Sequence, residues 1–347
     1  MKAPPALGDG WQVGDLAGAD LDRNAISELV EMIDAGVTTP NIHAVLIEHM
    51  GRLVFEQYWT GEDGELGTVE HGPETLHDIR SISKSVTSLL LGIVLEGDAG
   101  EALARPITSF FPNRNGLNAD LGAVTLHQVL TMTAGLAWNE SIVPYTARND
   151  YIRLISSRDP VGFVLGKELR DSPGEIWNYN SGLTDLVAAV IESISGQPLM
   201  AYADEVLFGP LGISEYEWWR PPAWPMDSFP SASAGLRMRA RDLAKIASIT
   251  MNGGKWQDRQ IVPETWIERS TARHVDNTWG QFGYGYFWYR GRLVRGNQAI
   301  RASGYGDQEV FVLPDDGLAI TIFAGNYDDP NWAVGERIAG RVVRARE

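Results

Sequence analysis

Residues 80–93 read RSISKSVTSLLLGI, and this stretch decides the fold of the chain. Its second half is apolar and predicts a buried helix, which we expect to run from about Ser81 to Leu95 and to stop at Gly97. Four serines, at positions 81, 83, 85 and 88, and Lys84 interrupt the stretch near its start. Because a lysine is rarely buried without a partner, the polar start of this helix requires a chemical explanation.

Ser81 and Lys84 are spaced for contact on one helix face, since residues at i and i+3 are neighbours there. A desolvated lysine has a lowered pKa and can take the proton of a serine hydroxyl, which is otherwise a weak nucleophile. At a helix start, the Ser81 N–H has no intrahelical partner and can bind an oxyanion. Ser83 and Ser85 diverge from Lys84 around the helix, and Ser88 lies one turn further in. The alternative is an ordinary polar face with a snorkelling lysine.

Two later motifs favour a catalytic site. In PGEIWNYNSGLT (173–184), Tyr179 precedes a predicted helix, and a phenol beside a lysine can relay protons, with a pKa that the positive charge lowers. In ASGYGDQEVFVLP (302–314), small residues precede an apolar strand and would let a substrate lie against the strand edge. Taken alone, each has a structural explanation: a core aromatic beside Trp177 and a turn or bulge.

The wider pattern places strands at both ends of the chain and helices in the middle. Residues 42–61 predict two strands around a turn, residues 98–224 are mainly helical, and strand signals dominate after residue 280. We therefore predict an α/β (α+β) fold with an antiparallel sheet built from the N- and C-terminal parts and flanked by helices. The predicted division is one α/β domain from 1–97 and 225–347, and a mainly helical inserted lobe from 98–224.

Composition excludes several function classes. The 347 residues carry a net charge of −16, which disfavours nucleic acid and anionic membranes as partners. The absence of cysteine removes disulfides, thiolate metal sites and cysteine nucleophiles. Because the first residues show no apolar segment like that of a signal peptide, we expect a soluble protein, cytoplasmic as written and periplasmic or secreted if a signal peptide was removed. The six histidines match no metal-binding spacing, so we expect no metal and mainly surface or structural histidines, at positions 43, 49, 71, 77, 127 and 274.

The order of these motifs resembles a known family. Ser-x-x-Lys, a tyrosine roughly 100 residues later and a glycine-rich strand near the C-terminus are similar to the class C β-lactamase-like serine hydrolases. Within them the chain most resembles family VIII carboxylesterases and 6-aminohexanoate-dimer hydrolases. The resemblance covers nearly the whole chain and rests on LVFEQYWTG, HDIRSISKSVTSLLLGI, LTMTAGLAW, PGEIWNYNSGLT, AGLRMRARDLAKI and SGYGDQEVFVLPD.

The resemblance implies a β-lactamase/transpeptidase-like fold, no cofactor and a set of roles. Ser81 would be the acylated nucleophile, and Lys84 either its base or the cation that holds Tyr179 as a phenolate. Tyr179 would relay the proton to the leaving group. The backbone N–H groups of Ser81 and Tyr305 would form the oxyanion hole. The partner would be a small ester or amide, with the oligomeric state open between monomer and dimer.

Two departures from the family pattern bear on the substrate. Ser181 replaces the asparagine of the second motif, and Ala302 replaces the lysine or histidine that binds the substrate carboxylate of β-lactams. Arg301 is a doubtful substitute because strand neighbours face opposite sides. These changes favour esters or amides, with a penicillin-recognising peptidase, a weak β-lactamase or an inactive binding protein as alternatives. The predicted substrate-binding residues are Trp138, Tyr145, Ser181, Gly304 and Gly306, and Glu140 is considered as a carboxylate for a substrate amine.

Overall fold

The computed structural model describes residues 2–64, 66–114, 118–293, 296–327 and 333–346. Its strands are β1 (Gln12–Val13), β2 (Ile42–His49), β3 (Arg52–Tyr58), β4 (Thr60–Asp63), β5 (Gly67–Glu70), β6 (His77–Asp78), β7 (Tyr216–Trp218), β8 (Leu236–Met238), β9 (Lys255–Trp256), β10 (Arg259–Gln260), β11 (Val275–Asp276), β12 (Gly283–Tyr284), β13 (Tyr289–Arg292), β14 (Gln298–Gly304), β15 (Gln308–Leu313) and β16 (Leu318–Ala324). Its α-helices are α1 (Arg23–Ala35), α2 (Ile82–Val94), α3 (Ala99–Ala104), α4 (Leu126–Leu130), α5 (Asp150–Ile155), α6 (Pro160–Leu165), α7 (Ser181–Ser195), α8 (Leu199–Ala203), α9 (Ala240–Met251), α10 (Glu264–Ser270) and α11 (Val334–Arg344).

The main sheet joins the two ends of the chain, as predicted. Its strand order is β1-β3-β2-β16-β15-β14-β13-β12-β11. β2 pairs antiparallel with β16, so the N-terminal and C-terminal strands meet in the middle of the sheet. One departure from the predicted antiparallel sheet is β1, which pairs parallel with β3 because the chain crosses over through α1 between them.

Helices cover both faces of this sheet. Alternation along β2 separates the faces: Leu46 belongs to the core on one side, and its neighbour Val45 to the core on the other. The first core also holds the apolar residues of α2, α7 and α9. The second holds those of α1 and α11. Helix α2 is therefore buried between the sheet and the helices of residues 98–224, which puts its first turn at the boundary of the two regions.

The middle of the chain is mainly helical, with α7 at its centre. Helix α7 packs against α2 and α6, begins with the Asn180 side chain accepting the Leu183 N–H, and ends at Gly196 in the left-handed conformation (φ 70°). Residues 214–230 read as an irregular connection, but they contain β7, which pairs with β8 beside β6. A strand of three residues among tryptophans and prolines is too short to show the alternation of apolar and polar residues by which strands are predicted from sequence. The division into two domains stays a prediction.

Within the described ranges, no single helix is long and apolar enough to cross a membrane. Ser181–Ser195 and Leu199–Phe208 reach that length only together, and they meet at 75°.

Candidate active site

The centre of the site lies where two helices begin. Ser81 immediately precedes α2, and Tyr179 stands two residues before α7. Arg80, just before the serine, adopts the left-handed conformation (φ 47°), which non-glycine residues seldom occupy. Since α2 and α7 pack against each other, their positive N-terminal ends converge on the same space.

Two predicted residues, Lys84 and Tyr179, lie within hydrogen-bonding distance of a third, Ser81. The Ser81 Oγ lies 3.0 Å from the Nζ of Lys84 and 2.7 Å from the phenol oxygen of Tyr179. Nζ of Lys84 also lies 4.9 Å from the centre of the tyrosine ring. The serine is partly exposed, whereas the lysine side chain is buried with 2% exposure. The hydroxyl therefore stands between an amine and a phenol.

Burial tunes the Lys84 amine towards the neutral form. Its Nζ donates to the backbone oxygen of Ser233 at 2.7 Å, and no carboxylate among the described residues bonds to it directly. Desolvation lowers the pKa of Lys84 to about 8, although the nearby carboxylates Glu140 and Asp185 oppose this change. A lysine with such a pKa can act as a base near neutral pH.

The Tyr179 phenol behaves differently from the sequence-based expectation. Its pKa is raised above the usual value, first by desolvation and then by the charge of Glu140. The predicted lowering by Lys84 is therefore wrong, because burial outweighs the attraction of an amine that is itself easily neutralised. The Tyr179 phenol and the Lys84 amine both donate to the Oγ of Ser81. Once Lys84 is neutral, its nitrogen has a lone pair that can accept the serine proton.

Asp185 is a part of the site that the motifs did not single out. It lies on α7 with 1% exposure, and its carboxylate accepts from the N–H and the hydroxyl of Ser233, at 3.0 and 3.1 Å. Burial raises the pKa of Asp185 to about 7, and Lys84 pulls it down. Asp185 thus fixes the position of Ser233, whose carbonyl oxygen accepts a hydrogen bond from Lys84. The sequence could have indicated this role, because Asp185 lies one helical turn after Ser181 in the second motif.

The other serines of the opening stretch have structural partners or are sealed off. Ser83 donates to the carbonyl oxygen of Arg80, and Ser85 to that of Phe287. The Ser88 hydroxyl is buried without a hydrogen-bond partner among the described residues. The contact with the lysine distinguishes Ser81 from all three.

The glycine-rich strand end lies against the nucleophile turn. A Cβ on Gly304 would come within 2.4 Å of the Ile79 carbonyl oxygen and 3.2 Å of the Arg80 Cβ, so only glycine allows this close approach. Gly306 has φ 89° and lies against the Tyr327 ring. Among the described residues, no acceptor receives the Ser81 N–H, as a role in oxyanion binding requires.

Aromatic rings border the site. The Tyr145 ring, with 56% of its surface exposed, lies 6.1 Å from that of Tyr305, which lies 5.4 Å from Tyr327. Trp279, 51% exposed, lies 4.8 Å from the Tyr179 ring and was not foreseen, because its loop carries no motif. The inner surface of the cleft is formed by Ser81, Lys84, Ser85, Tyr179, Tyr284, Phe287, Tyr289 and Ser303.

Two predicted binding residues lie in the interior instead. Trp138 is 2% exposed and donates its indole N–H to Glu140 at 2.8 Å. Ser181 is also 2% exposed, and its N–H and hydroxyl both bond to Glu140. We therefore reassign Trp138 and Ser181 to the support of the site. Glu140 is occupied by these three donors, which corrects the suggestion that it holds a substrate amine.

The position of the missing cation is apolar. Ala302 is 1% exposed and belongs to the core on the α2 side of the sheet. The Arg301 guanidinium bonds to Glu309 at 2.6 and 2.8 Å and to Glu336 at 2.7 Å. Two carboxylates therefore hold Arg301. These contacts agree with the expectation that Arg301 does not replace the substrate-binding lysine of the family motif.

Comparison with known proteins assigns the family. A family profile described as Beta-lactamase matches residues 29–340, which is most of the chain. This chain belongs to the beta-lactamase family. The resemblance recognised in its motifs is therefore confirmed.

Two curated proteins match part of the chain. The chain is 31% identical to esterase EstB of Burkholderia gladioli over 188 residues, 50% of this chain and 45% of that protein. It is 24% identical to a 6-aminohexanoate-dimer hydrolase of Paenarthrobacter ureafaciens over 250 residues, 67% and 62% of the two chains. The chain thus spans less than two thirds of either curated relative.

Solved structures confirm the fold. EstCE1, a hydrolase with promiscuous acyltransferase activity, superposes with a TM-score of 0.74 at 17% identity, covering 93% of this chain and 99% of its own. An octameric penicillin-binding protein homologue from Pyrococcus abyssi gives 0.72 at 19% identity, covering 92% and 77%. At these identities the likeness concerns the fold alone.

Proposed function

We propose that this protein is a serine hydrolase that cleaves small carboxylic esters or amides through an acyl-enzyme on Ser81. The observation that carries the proposal is one hydroxyl held between an amine at 3.0 Å and a phenol at 2.7 Å. A nucleophile needs a base within such reach, and a leaving group needs an acid. The names of the relatives, an esterase and a 6-aminohexanoate-dimer hydrolase, support the same proposal.

Acylation begins with the transfer of the Ser81 proton to the neutral Lys84 amine. The serine oxygen then bonds to the substrate carbonyl carbon, and the carbonyl π electrons move to its oxygen. The Ser81 N–H, at the positive end of α2, would stabilise that oxyanion together with the Tyr305 N–H, our predicted second donor. Lys84 rather than a Tyr179 phenolate is the base in this scheme, because burial lowers the pKa of the lysine and raises that of the tyrosine.

Expulsion of the leaving group needs a proton on its oxygen or nitrogen. Tyr179 would supply it and recover a proton from the Lys84 ammonium, so that both groups return to neutrality. In deacylation, a water gives a proton to the same pair as its oxygen bonds to the acyl carbon. The bond from that carbon to the Ser81 Oγ then breaks, the pair returns the proton to Oγ, and the acid is released. Acylation and deacylation therefore both use Lys84 and Tyr179, and the protons move between these residues in opposite directions in the two steps.

The substrate class follows from the charges around Ser81. Ala302 offers no cation where the β-lactam-binding members of the family have one, and Arg301 is held by two carboxylates. The rim is aromatic, with Tyr145 and Trp279 exposed. We infer an uncharged acyl group with apolar surface, and disfavour penicillins.

The experiment is hydrolysis of a panel of p-nitrophenyl esters and anilides by the wild type and three variants. Ser81→Ala and Lys84→Ala should each abolish turnover. Ser88→Ala, on the same helix but with no hydrogen-bond partner in the described part of the chain, should retain it. Nitrocefin and D-Ala-D-Ala peptides test the penicillin-recognising alternative. Turnover of either compound faster than that of the esters and anilides would favour this alternative. No turnover and no acylation by any activated ester would mean an inactive binding protein.

A further inference from the structure

Three histidines that the proposed reaction does not use are buried together. His43 lies on β2, His71 follows β5, and His77 lies on β6. Their exposures are 0, 8 and 1%, and one ring nitrogen of each lies within 4.8 Å of the other two. The sequence spacing does not reveal this cluster because three separate segments form it.

The partners of two of these rings fix where their hydrogens lie. His77 Nδ1 is 2.9 Å from the carbonyl oxygen of Asp78 and must donate to it. His43 Nε2 is 3.0 Å from Oδ1 of Asn41 and must donate as well. The amide orientation of Asn41 is set by Glu62, whose N–H donates to Oδ1 at 2.7 Å and whose carbonyl accepts from Nδ2 at 2.9 Å.

The remaining nitrogens of this pair then lack a hydrogen. Two neutral imidazoles carry one N–H each, and both are used by Asn41 and Asp78. Yet His43 Nδ1 and His77 Nε2 lie 2.8 Å apart. Two lone pairs at that distance repel, unless a positive charge, either a third proton or a metal ion, lies between them.

A third proton is the less favourable solution. It would place a charged imidazolium where His43 and His77 are 0 and 1% exposed, and removing a charge from water costs free energy. A metal ion also loses its hydration on burial, but bonds to several ligands at once compensate for that loss.

A third ring nitrogen and a negative charge add to this pair. His71 Nε2 is buried without a hydrogen-bond partner among the described residues. The Asp63 carboxylate, at the end of β4, acts electrostatically on all three rings and supplies negative charge. The ring of His71 is stacked 4.0 Å from that of His43, so coordination by all three histidines requires the His71 side chain to turn.

Two glycines hold the His43 ring in place. A Cβ on Gly61 would come within 2.4 Å of the ring, and one on Gly325 within 2.7 Å. A Cβ on either glycine would also collide with the side chain of Asn41, the residue that fixes the tautomer. Such orientation of a ring by a partner on its other nitrogen is typical of histidines that bind metals.

We propose that His43 and His77, with His71, bind one divalent transition-metal ion of the zinc class. Neutral imidazoles suit Zn²⁺, and also Ni²⁺ or Cu²⁺, better than Mg²⁺ or Ca²⁺. Two ligand nitrogens on a tetrahedral Zn²⁺ stand about 3.3 Å apart, so the His43–His77 pair would open by roughly 0.5 Å. The ion would join β2 and β6 to the segment after β5, and β6 leads into the nucleophile turn at Arg80.

The test is calorimetric titration of the chelator-treated full chain with Zn²⁺. Wild type should bind one ion per chain, and His49→Gln, a control at the end of the same strand, should bind equally. His71→Gln and His43→Gln should each weaken binding at least tenfold. Zn²⁺ should also raise the Tm of wild type and of the control, but not that of the His43 variant.

The contradicting results are equally definite. Absence of saturable binding to wild type would overturn the proposal, as would binding that neither variant weakens. Where a variant does not fold, the X-ray absorption spectrum of Zn²⁺-loaded wild type decides: two or three imidazole ligands support the site, and fewer than two overturn it.

Discussion

The phenol oxygen of Tyr179 lies 2.7 Å from the Oγ of Ser81, although 98 residues separate them in the chain. Packing of α7 on α2 brings the two together, since each residue lies at the start of its helix. In the proposed reaction this contact makes Tyr179 the acid for the leaving group.

Tyr179→Phe removes that acid and preserves the ring packing. We expect a loss of about 10²–10⁴-fold in kcat for alkyl esters, whose leaving groups need a proton. For p-nitrophenyl esters, whose leaving group departs as an anion, the loss should be smaller. Tyr202→Phe on α8 is the control. An equal loss for both ester classes would contradict the role of Tyr179 as an acid.

The activity should depend on pH through Lys84. Only the neutral amine accepts the serine proton, so kcat/KM should rise about tenfold per pH unit and level off above the pKa of Lys84, which burial lowers to about 8. The measurement is a pH profile with two neutral esters of different leaving groups. A flat profile below pH 8, or a rise that continues to the usual lysine value, would argue against Lys84 as the base.

Asp185→Asn should shift that profile in a defined direction. The ionised carboxylate favours the Lys84 ammonium, so its removal lowers the pKa of Lys84 further. The acid limb of kcat/KM should therefore move to lower pH, while asparagine still accepts the Ser233 N–H. A uniform loss of kcat at every pH would indicate a purely structural role for Asp185.

Gly304→Ala tests the close approach of β14 to the nucleophile turn. The new Cβ would collide with the Ile79 carbonyl oxygen at 2.4 Å and displace Ser81. Because a misplacement of about 1 Å costs roughly 10²-fold, we expect kcat/KM to fall by that order and Tm to fall as well. Gly122→Ala, where nothing lies within 4 Å of the added Cβ, is the control and should leave kcat/KM unchanged. Wild-type kcat/KM in Gly304→Ala would show that this approach does not position Ser81.

Local patterns predicted much of this molecule. The apolar run after Lys84, the alternation along β2 and the left-handed stop at Gly196 are local signals, so the helices and central strands were predictable from sequence. The order of Ser81, Lys84 and Tyr179 identified the family before any distance was known.

What the sequence missed depends on non-local packing. Trp138 and Ser181 lie in pocket-forming motifs, yet both point at Glu140 inside the protein. The direction of the Tyr179 pKa shift depends on burial, which spacing does not reveal. The histidine cluster combines three segments, and no single motif contains it.

The central claim is that Ser81 becomes acylated, and the most direct measurement is mass spectrometry after brief reaction with an activated ester or a fluorophosphonate. The account predicts one adduct per chain, located by peptide mapping at Ser81 and absent from Ser81→Ala, while Ser88→Ala labels as wild type does. An adduct on another serine, or undiminished labelling of Ser81→Ala, would contradict it.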